Sequence, residues 1–344
     1  MSPTSSRRAL LAGMALAPFM AARKAHAAGE VNVYSSRHYD TDRDLYEGFT
    51  RATGTRVRLI EGSEDALLER LRTEGPNSPA DVLVTVDASR LWRAREAGLL
   101  QPTRSAVLEA RVPASLRDPD GYWFGLSKRA RVIMYDRALG LPAGVARYED
   151  LARADLRHTL CVRSAAHPYN ISLAGSVLAA NGPGALEEWA RGVVANLARP
   201  PQGGDIPQIL GVAAGQCRLA VSNTYYLGRL LNSPKPEERA AAQKIGVLFP
   251  NQADRGTHVN VSGAGVARHA PNRAAAVAFL EYLTSERAQK LFAEGNFEYP
   301  VVPGIAAHPT LAGFGTFRED ALNAATYGAN GPEALQIMQR AGWR

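Results

Sequence analysis

The sequence predicts an α/β protein whose sheets and helices are divided between two lobes joined by two crossing hinge strands. Short apolar β runs alternate with amphipathic segments from residue 31 to about residue 97, and a second alternation begins near residue 160. Such alternation is typical of sheets with helices on their faces. One longer β segment, residues 131–135, leads into the second alternation, and residues 259–266 lead out of it. We expect these segments to form a hinge beside a ligand cleft.

In the first alternation, β runs are predicted at residues 31–34, 57–60 and 81–86, and helices at 41–52, 66–71 and 89–97. Leu45 and Phe49 give the first helix an apolar stripe, and Thr41 and Asp44 have the spacing of a capping box. Because strands and helices alternate, the sheet is expected to be mostly parallel.

In the second alternation, β runs are predicted at residues 160–162, 219–221 and 245–249, with helices at 171–180, 183–196 and after Tyr226. The chain then ends mainly in helices, near residues 274–283, 286–292 and 333–341. The predicted N-terminal lobe comprises residues 28–127 and 252–305, and the predicted C-terminal lobe comprises residues 128–251 and 306–344.

The first 27 residues have the pattern of a cleaved export signal. Arg7 and Arg8 precede an apolar run over residues 9–22, which is followed by Ala25-His26-Ala27. Residues 6–11 resemble a bacterial twin-arginine signal, and the alternative is a general secretory signal that happens to begin with two arginines. Either signal predicts a soluble mature protein in the periplasm.

The net charge argues against a nucleic-acid partner. The full chain carries a formal charge of +7, but the export segment holds four basic residues and no acidic ones, so the mature chain carries only +3. No segment mixes aromatic residues with many basic ones. We expect a monomer that binds no nucleic acid.

Cys161 and Cys217 are the only cysteines, and their spacing matches no metal-binding or redox motif. Each precedes a β-rich run, at residues 162–164 and 219–221. In an oxidising compartment, thiols at the starts of neighbouring strands can form a disulfide. Two small buried hydrophobic residues are the equally weighted alternative.

Tyrosines occupy three turns at which a predicted helix begins after a strand. They are Tyr39 in residues 35–40, Tyr169 in residues 167–170, and Tyr225 and Tyr226 in residues 222–226. Ligands of α/β proteins collect beyond the carboxyl ends of strands. Adjacent residues of a strand face opposite sides, so Tyr225 and Tyr226 can reach one ligand only from a turn or the first residues of a helix.

Phenolate oxygens at these turns predict a site for Fe(III). A tyrosine, of ordinary pKa about 10, becomes a good ligand only when a strongly polarising cation displaces its proton. Fe(III) is such a hard cation. Four phenolates around it leave a formal charge of −1, which Arg129 and Arg229 could offset, and a neutral His38 imidazole could be a fifth ligand.

Two other classes of function remain open on the residues alone. One is a binding protein for a polyamine, thiamine or a sugar on the same fold, which would need acidic or aromatic walls at the strand ends. The other is an exported enzyme, although the sequence contains no Walker A loop, G-x-S-x-G elbow, H-E-x-x-H or Rossmann fingerprint. The missing motifs favour a binding protein.

Five segments resemble the periplasmic ferric-iron-binding proteins of ABC transporters. They are residues 34–39, 78–87, 123–135, 222–230 and 249–263. The resemblance runs through nearly the whole mature chain. It implies the type II periplasmic binding protein fold, Fe(III) as cargo and a membrane permease as partner.

One branch of that family binds iron mainly through tyrosines. Its pattern falls on His38, Tyr39, Tyr169, Tyr225 and Tyr226 as the implied metal ligands. Arg129 and Arg229 fall at the supporting positions.

Overall fold

The computed structural model describes residues 29–37, 39 and 41–344. The predicted export segment therefore lies outside the described residues. The described strands are β1 Glu30–Ser35, β2 Arg56–Glu61, β3 Val82–Thr85, β4 Phe124–Asp136, β5 Leu160–Cys161, β6 Leu219–Asn223, β7 Ile245–Leu248, β8 Val259–Val266 and β9 Tyr299–Pro300.

The helices before strand β8 are α1 Asp42–Thr53, α2 Glu64–Glu74, α3 Ala88–Glu96, α4 Ala106–Arg111, α5 Pro168–Ala195, α6 Asp205–Ala213, α7 Thr224–Leu231 and α8 Pro236–Gln243. Those after it are α9 Arg273–Leu283, α10 Glu286–Asn296, α11 Pro309–Ala312, α12 Ala324–Ala329 and α13 Gly331–Arg340. Within the described part of the chain, no helix is both long enough and apolar enough to cross a membrane.

The strands form one mixed sheet in the order β2-β1-β3-β8-β4-β6-β5, and β7 and β9 also pair with β4. Among the named strands of the described residues, the parallel pairs are β1 with β2, β1 with β3, and β5 with β6. The prediction of parallel strands is therefore confirmed for the first alternation, β1 to β3, whereas the sheet as a whole is mixed. The two longest strands, β4 and β8, run in opposite directions, and all the pairings that they make are antiparallel.

Strand β4 connects the two halves of the sheet. Its first part, residues 124–130, pairs with β8, and its second part, from Arg131 onward, pairs with β6 and β7. The sequence predicted only residues 131–135 of this strand. The earlier part carries polar residues, but it is buried on both faces, so it lacks the alternation that marks a half-exposed strand. Strand β8 has its predicted bounds.

The first helix packs as predicted but is capped differently. Leu45 and Phe49 are buried. Thr41 is the N-cap residue of α1, yet its side chain makes no capping bond. Its hydroxyl instead donates to Asn296 Oδ1 at 3.2 Å, so the predicted capping box with Asp44 was wrong. A tertiary hydrogen bond replaces the local one.

Two predicted helices are joined into the 28-residue helix α5. The boundary between them is a kink at Gly182, whose φ of 81° lies in the left-handed region that glycine tolerates. Helix α6 was not predicted, because it contains Pro207 and Gly211, which are residues that usually interrupt helices. Pro207 lies in the first turn, where its missing N–H costs no helical hydrogen bond.

Buried side chains form two apolar clusters. The larger one runs from β1 and α1 through the crossing strands to α6 and α7. The smaller one lies between α5, α13 and the other face of β4 to β6, and contains Trp189 and Trp343 with ring centroids 5.8 Å apart. The larger cluster therefore links both halves of the sheet.

Cys161 and Cys217 are joined by a disulfide, with a Cα–Cα distance of 5.8 Å. Both residues are buried, and the described chain has no free cysteine. Of the two interpretations that the sequence left open, the structure has the covalent one. The bond ties the end of β5 to the residues that enter β6.

Candidate metal centre

Tyr169 and the Tyr225–Tyr226 pair lie in the first turns of two helices, α5 and α7. Helix α5 starts with Pro168, and the Nδ1 atom of His167 accepts a hydrogen bond from the Tyr169 N–H at 3.2 Å. Helix α7 begins at Thr224, directly after β6. These helix starts give the tyrosines the placement expected from the sequence.

These three tyrosines form a compact cluster. The hydroxyl oxygens of Tyr169 and Tyr225 are 3.3 Å apart. The rings of Tyr225 and Tyr226 lie 4.0 Å apart, with 31° between their planes. Tyr169 and Tyr225 are buried, whereas Tyr226 is partly exposed. One small volume thus holds three phenol groups from two helix starts.

Tyr39 joins the cluster from the other half of the sheet. It follows β1, and it interacts electrostatically with Tyr169, Tyr225 and Tyr226. The Arg229 guanidinium of α7 lies 5.5 Å from the centre of its ring. This contact between Tyr39 and Arg229 joins the two halves of the sheet.

Arg129 is a buried cation that lies beside this cluster. Its guanidinium carbon lies 5.8 Å from the ring centre of Tyr169 and 5.9 Å from that of Tyr225. It pairs with Glu298 at 2.9 Å and also donates to the Ser262 hydroxyl. Arg129 thus lies beside the tyrosines, and its role in supporting them stays a prediction.

Glu298 connects Arg129 to a second buried arginine, Arg37. The Arg37–Glu298 distance is 3.0 Å, and Arg37 also pairs with Asp42 at 2.9 Å. Burial alone would raise the pKa of Glu298, but the two guanidinium groups hold it below its ordinary value. Arg37 also lies 4.9 Å from the centre of the Tyr39 ring.

Sequence reasoning missed Arg37 and Glu298. Arg37 could have been suspected because it precedes the His38-Tyr39 pair. Glu298 carried no such signal, since it lies far along the chain from every tyrosine of the cluster.

A second buried ion group, formed by Asp205, Arg131 and Arg163, lies beside Tyr169 and Tyr226. Asp205, the first residue of α6, accepts hydrogen bonds from Arg131 at 2.6 Å and from Arg163. The guanidinium carbons of Arg131 and Arg163 are 5.9 Å and 5.7 Å from the Tyr169 ring centre. Sequence reasoning missed all three residues, because they come from separate elements.

Three phenols of the cluster resist ionisation in the absence of a bound cation. Burial raises the pKa of Tyr169, Tyr225 and Tyr39 above the ordinary value for tyrosine, and Arg129 opposes the increase. A ligand that binds phenolate oxygen must therefore displace protons, as a hard trivalent cation can.

The structure brings together Tyr39, Tyr169, Tyr225 and Tyr226 with Arg129 and Arg229. His38 lies outside the described residues. Among residues 29–37, 39 and 41–344, no group of three or more His, Cys, Asp and Glu side chains could hold a metal ion. The oxygen donors that converge in the described chain are phenols.

The crossing segment before β8 carries a buried histidine that predicts acid sensitivity. His258 contacts the Ser172 hydroxyl through Nε2 at 2.9 Å, and burial, with help from Arg255, lowers its pKa to about 3. The folded state keeps it neutral, whereas the unfolded chain binds a proton near the ordinary pKa. Stability from this group is therefore complete above about pH 6.5 and is lost as the pH falls toward 3.

We expect the free energy of unfolding to fall by up to about 1.4 kcal/mol per pH unit from this histidine between pH 6 and 4. Urea unfolding across this range measures the slope. The His258→Gln variant should show a shallower slope than the wild type, and equal slopes would contradict the assignment.

The comparisons with known proteins agree on one family. Residues 44–319 match the family described as bacterial extracellular solute-binding protein. The chain is 50% identical over 315 residues to iron uptake protein A1 of Synechocystis, covering 92% of this chain and 88% of that protein.

Solved structures give the same result. A Trichodesmium protein in complex with iron and citrate ligands superposes with a TM-score of 0.90 and 52% identity, covering 92% of this chain and all of that one. The ferric binding protein from Campylobacter jejuni superposes with a TM-score of 0.86 and 39% identity, covering 91% of this chain and 100% of that one. These similarities confirm the predicted solute-binding protein fold, and they are to binding proteins rather than to enzymes. The chain belongs to the family of bacterial extracellular solute-binding proteins, within the group that contains the ferric-iron-binding proteins.

Proposed function

We propose that this chain is the periplasmic component of an ABC transporter, that it binds Fe(III), and that it delivers the ion to a membrane permease. The proposed ligands are the phenolates of Tyr39, Tyr169, Tyr225 and Tyr226. The observation that carries the proposal is the convergence of these four phenols beside the buried Arg129 guanidinium. His38 is proposed as a fifth ligand on the sequence resemblance alone.

The chemistry of the donors favours Fe(III) over an organic solute. Phenolate is a hard anionic ligand, and hard trivalent iron both lowers its pKa and neutralises its charge. The −1 charge that remains on the complex would lie close to Arg129 and Arg229. A polyamine, thiamine or sugar would make little use of four clustered phenols.

The relatives support iron as the cargo. The similar Synechocystis protein is named for iron uptake and the Campylobacter protein for ferric binding, and the Trichodesmium protein is in complex with iron and citrate. In the arrangement we propose, residues 28–127 and 252–305 form one lobe, and residues 128–251 and 306–344 form the other. Tyr39 then comes from the first lobe and the remaining three tyrosines come from the second.

Adding Fe(III) nitrilotriacetate to the metal-free mature protein should produce a visible phenolate-to-iron charge-transfer band that saturates at one equivalent. The Tyr225→Phe, Tyr226→Phe double variant should lose this band, because it keeps both rings and removes two ligand oxygens. Absorption spectroscopy measures both, and equilibrium dialysis gives the bound iron.

Tyr122→Phe is the matched control. Tyr122 lies beside Arg95, away from the cluster. Its substitution should therefore leave the charge-transfer band and the iron stoichiometry unchanged. A wild type without the band, or a double variant with an undiminished one, would overturn the proposal.

Export and delivery rest on the sequence and on the family. The Arg7-Arg8 segment supports export to the periplasm, and the family is described as extracellular. Fractionation of cells making the Arg7→Lys, Arg8→Lys variant separates the routes: cytoplasmic retention favours the twin-arginine route, and unchanged export favours the general one. Iron uptake by cells with and without the chain tests delivery, and sedimentation tests the proposed monomer.

A further inference from the structure

We infer that Asp205 is a positioning residue for the iron ligands of the second lobe, although it touches none of them itself. It locks two guanidinium groups, those of Arg131 and Arg163, into one buried unit that holds both tyrosine-bearing helix starts. The inference rests on the proposed function, because it concerns the same iron site.

The Asp205 unit is fully enclosed at its centre. The Asp205 side chain has no exposed surface, and Arg131 is buried to nearly the same degree. The carboxylate uses one oxygen for each arginine, accepting from Arg131 at Oδ1 and from Arg163 at Oδ2. Loss of the carboxylate would therefore release both guanidinium groups at once.

One arm of the unit reaches the start of α5. Arg131 Nη2 donates to Asn170 Oδ1 at 2.7 Å, and Asn170 is the residue after Tyr169. The Asn170 amide then donates to the carbonyl oxygens of Arg163 and Ser164 at 2.9 and 3.0 Å. These bonds close a ring that fixes the backbone on both sides of the turn that presents Tyr169.

The other arm reaches the start of α7. Arg131 Nη1 donates to Asn223 Oδ1 at 3.1 Å, and Asn223 ends β6 two residues before Tyr225. The Arg163 guanidinium also lies close enough to the Tyr226 phenol to interact with it electrostatically. Asp205 thus connects, through two arginines, to the residues that orient Tyr169, Tyr225 and Tyr226.

A purely electrostatic role and a positioning role predict opposite results for Asp205→Asn. The change removes a negative charge and leaves the surroundings of the phenolates more positive, which by Coulomb attraction should tighten Fe(III) binding. Partners of metal ligands that fix geometry instead weaken binding by about 10- to 100-fold when they are changed. The sign of the change in affinity therefore separates the two roles.

The experiment measures Fe(III) affinity by competition with nitrilotriacetate, together with the charge-transfer band, for wild type, Asp205→Asn and Asp155→Asn. We expect about 10- to 100-fold weaker binding and a shifted band for Asp205→Asn. In a Tyr226→Phe background the same change should cost clearly less, because one of its targets is gone. Asp155, an exposed partner of Arg153, is the matched control and should have no effect.

Wild-type affinity and an unshifted band in folded Asp205→Asn would overturn the inference, as would tighter binding. A wild type without the band would overturn the proposed function, and the inference with it. If circular dichroism shows that Asp205→Asn does not fold, Asn170→Ser takes its place. That variant cuts only the α5 arm and should also weaken binding and shift the band, and an unchanged Asn170→Ser protein would equally overturn the inference.

Discussion

Replacing Glu298 with glutamine is expected to lower the free energy of unfolding by about 3–5 kcal/mol. The substitution keeps the shape of the side chain but removes the negative charge that Arg37 and Arg129 share. All three groups are buried, so water cannot replace the lost partner. Arg129 would be left with only uncharged acceptors, namely the glutamine amide oxygen, a hydroxyl and a backbone carbonyl. Urea unfolding of the metal-free protein measures the difference.

Glu47→Gln is the matched control for this prediction. Glu47 pairs with Arg51 one helical turn away, and more than half of each side chain is exposed. Exposed pairs of this kind contribute about 0.3–0.5 kcal/mol. A Glu298→Gln protein that loses no more stability than Glu47→Gln would show that the buried ion group does not stabilise the fold.

Replacing both cysteines with alanine is expected to cost about 4 kcal/mol of stability. The disulfide closes a loop of 56 residues, and removing it returns conformational entropy to the unfolded chain. Because Cys161 and Cys217 are buried, alanine avoids leaving an unpaired hydroxyl at either site. Urea unfolding of the wild type with and without a strong reductant should give a similar loss.

The reductant also provides the control. It should not affect the Cys161→Ala, Cys217→Ala protein, because that protein has no disulfide to reduce. If oxidised and reduced wild type unfold at the same urea concentration, the disulfide contributes nothing to stability.

The sequence predicted elements where local signals decide the structure. Strand β8 and the stripe of Leu45 and Phe49 were found because burial and periodicity coincide there. Strand β4 was predicted too short, because polar side chains such as Ser127 and Arg129 are buried in it by distant partners. No local pattern reveals such a partner.

The residues of the candidate site also differ in whether local sequence reveals them. The four tyrosines were found because each stands beside a strand end or helix start, which is local information. Glu298 and Asp205 were missed because their meaning depends on contacts across the chain. The Glu298–Arg37 contact joins residues 261 positions apart, and the Asp205–Arg131 contact joins residues 74 apart.

Strand β4 also sets the distance between two buried arginines. Arg129 and Arg131 are two residues apart on it, so their side chains leave the same face, and the pleat sets their backbones about 6.6–6.8 Å apart. Arg129 belongs to the ion group of Glu298, and Arg131 to that of Asp205. The strand therefore keeps the two ion groups at a nearly fixed spacing along its length. A single-residue insertion between the two arginines would instead turn one of them to the opposite face and separate the two ion groups.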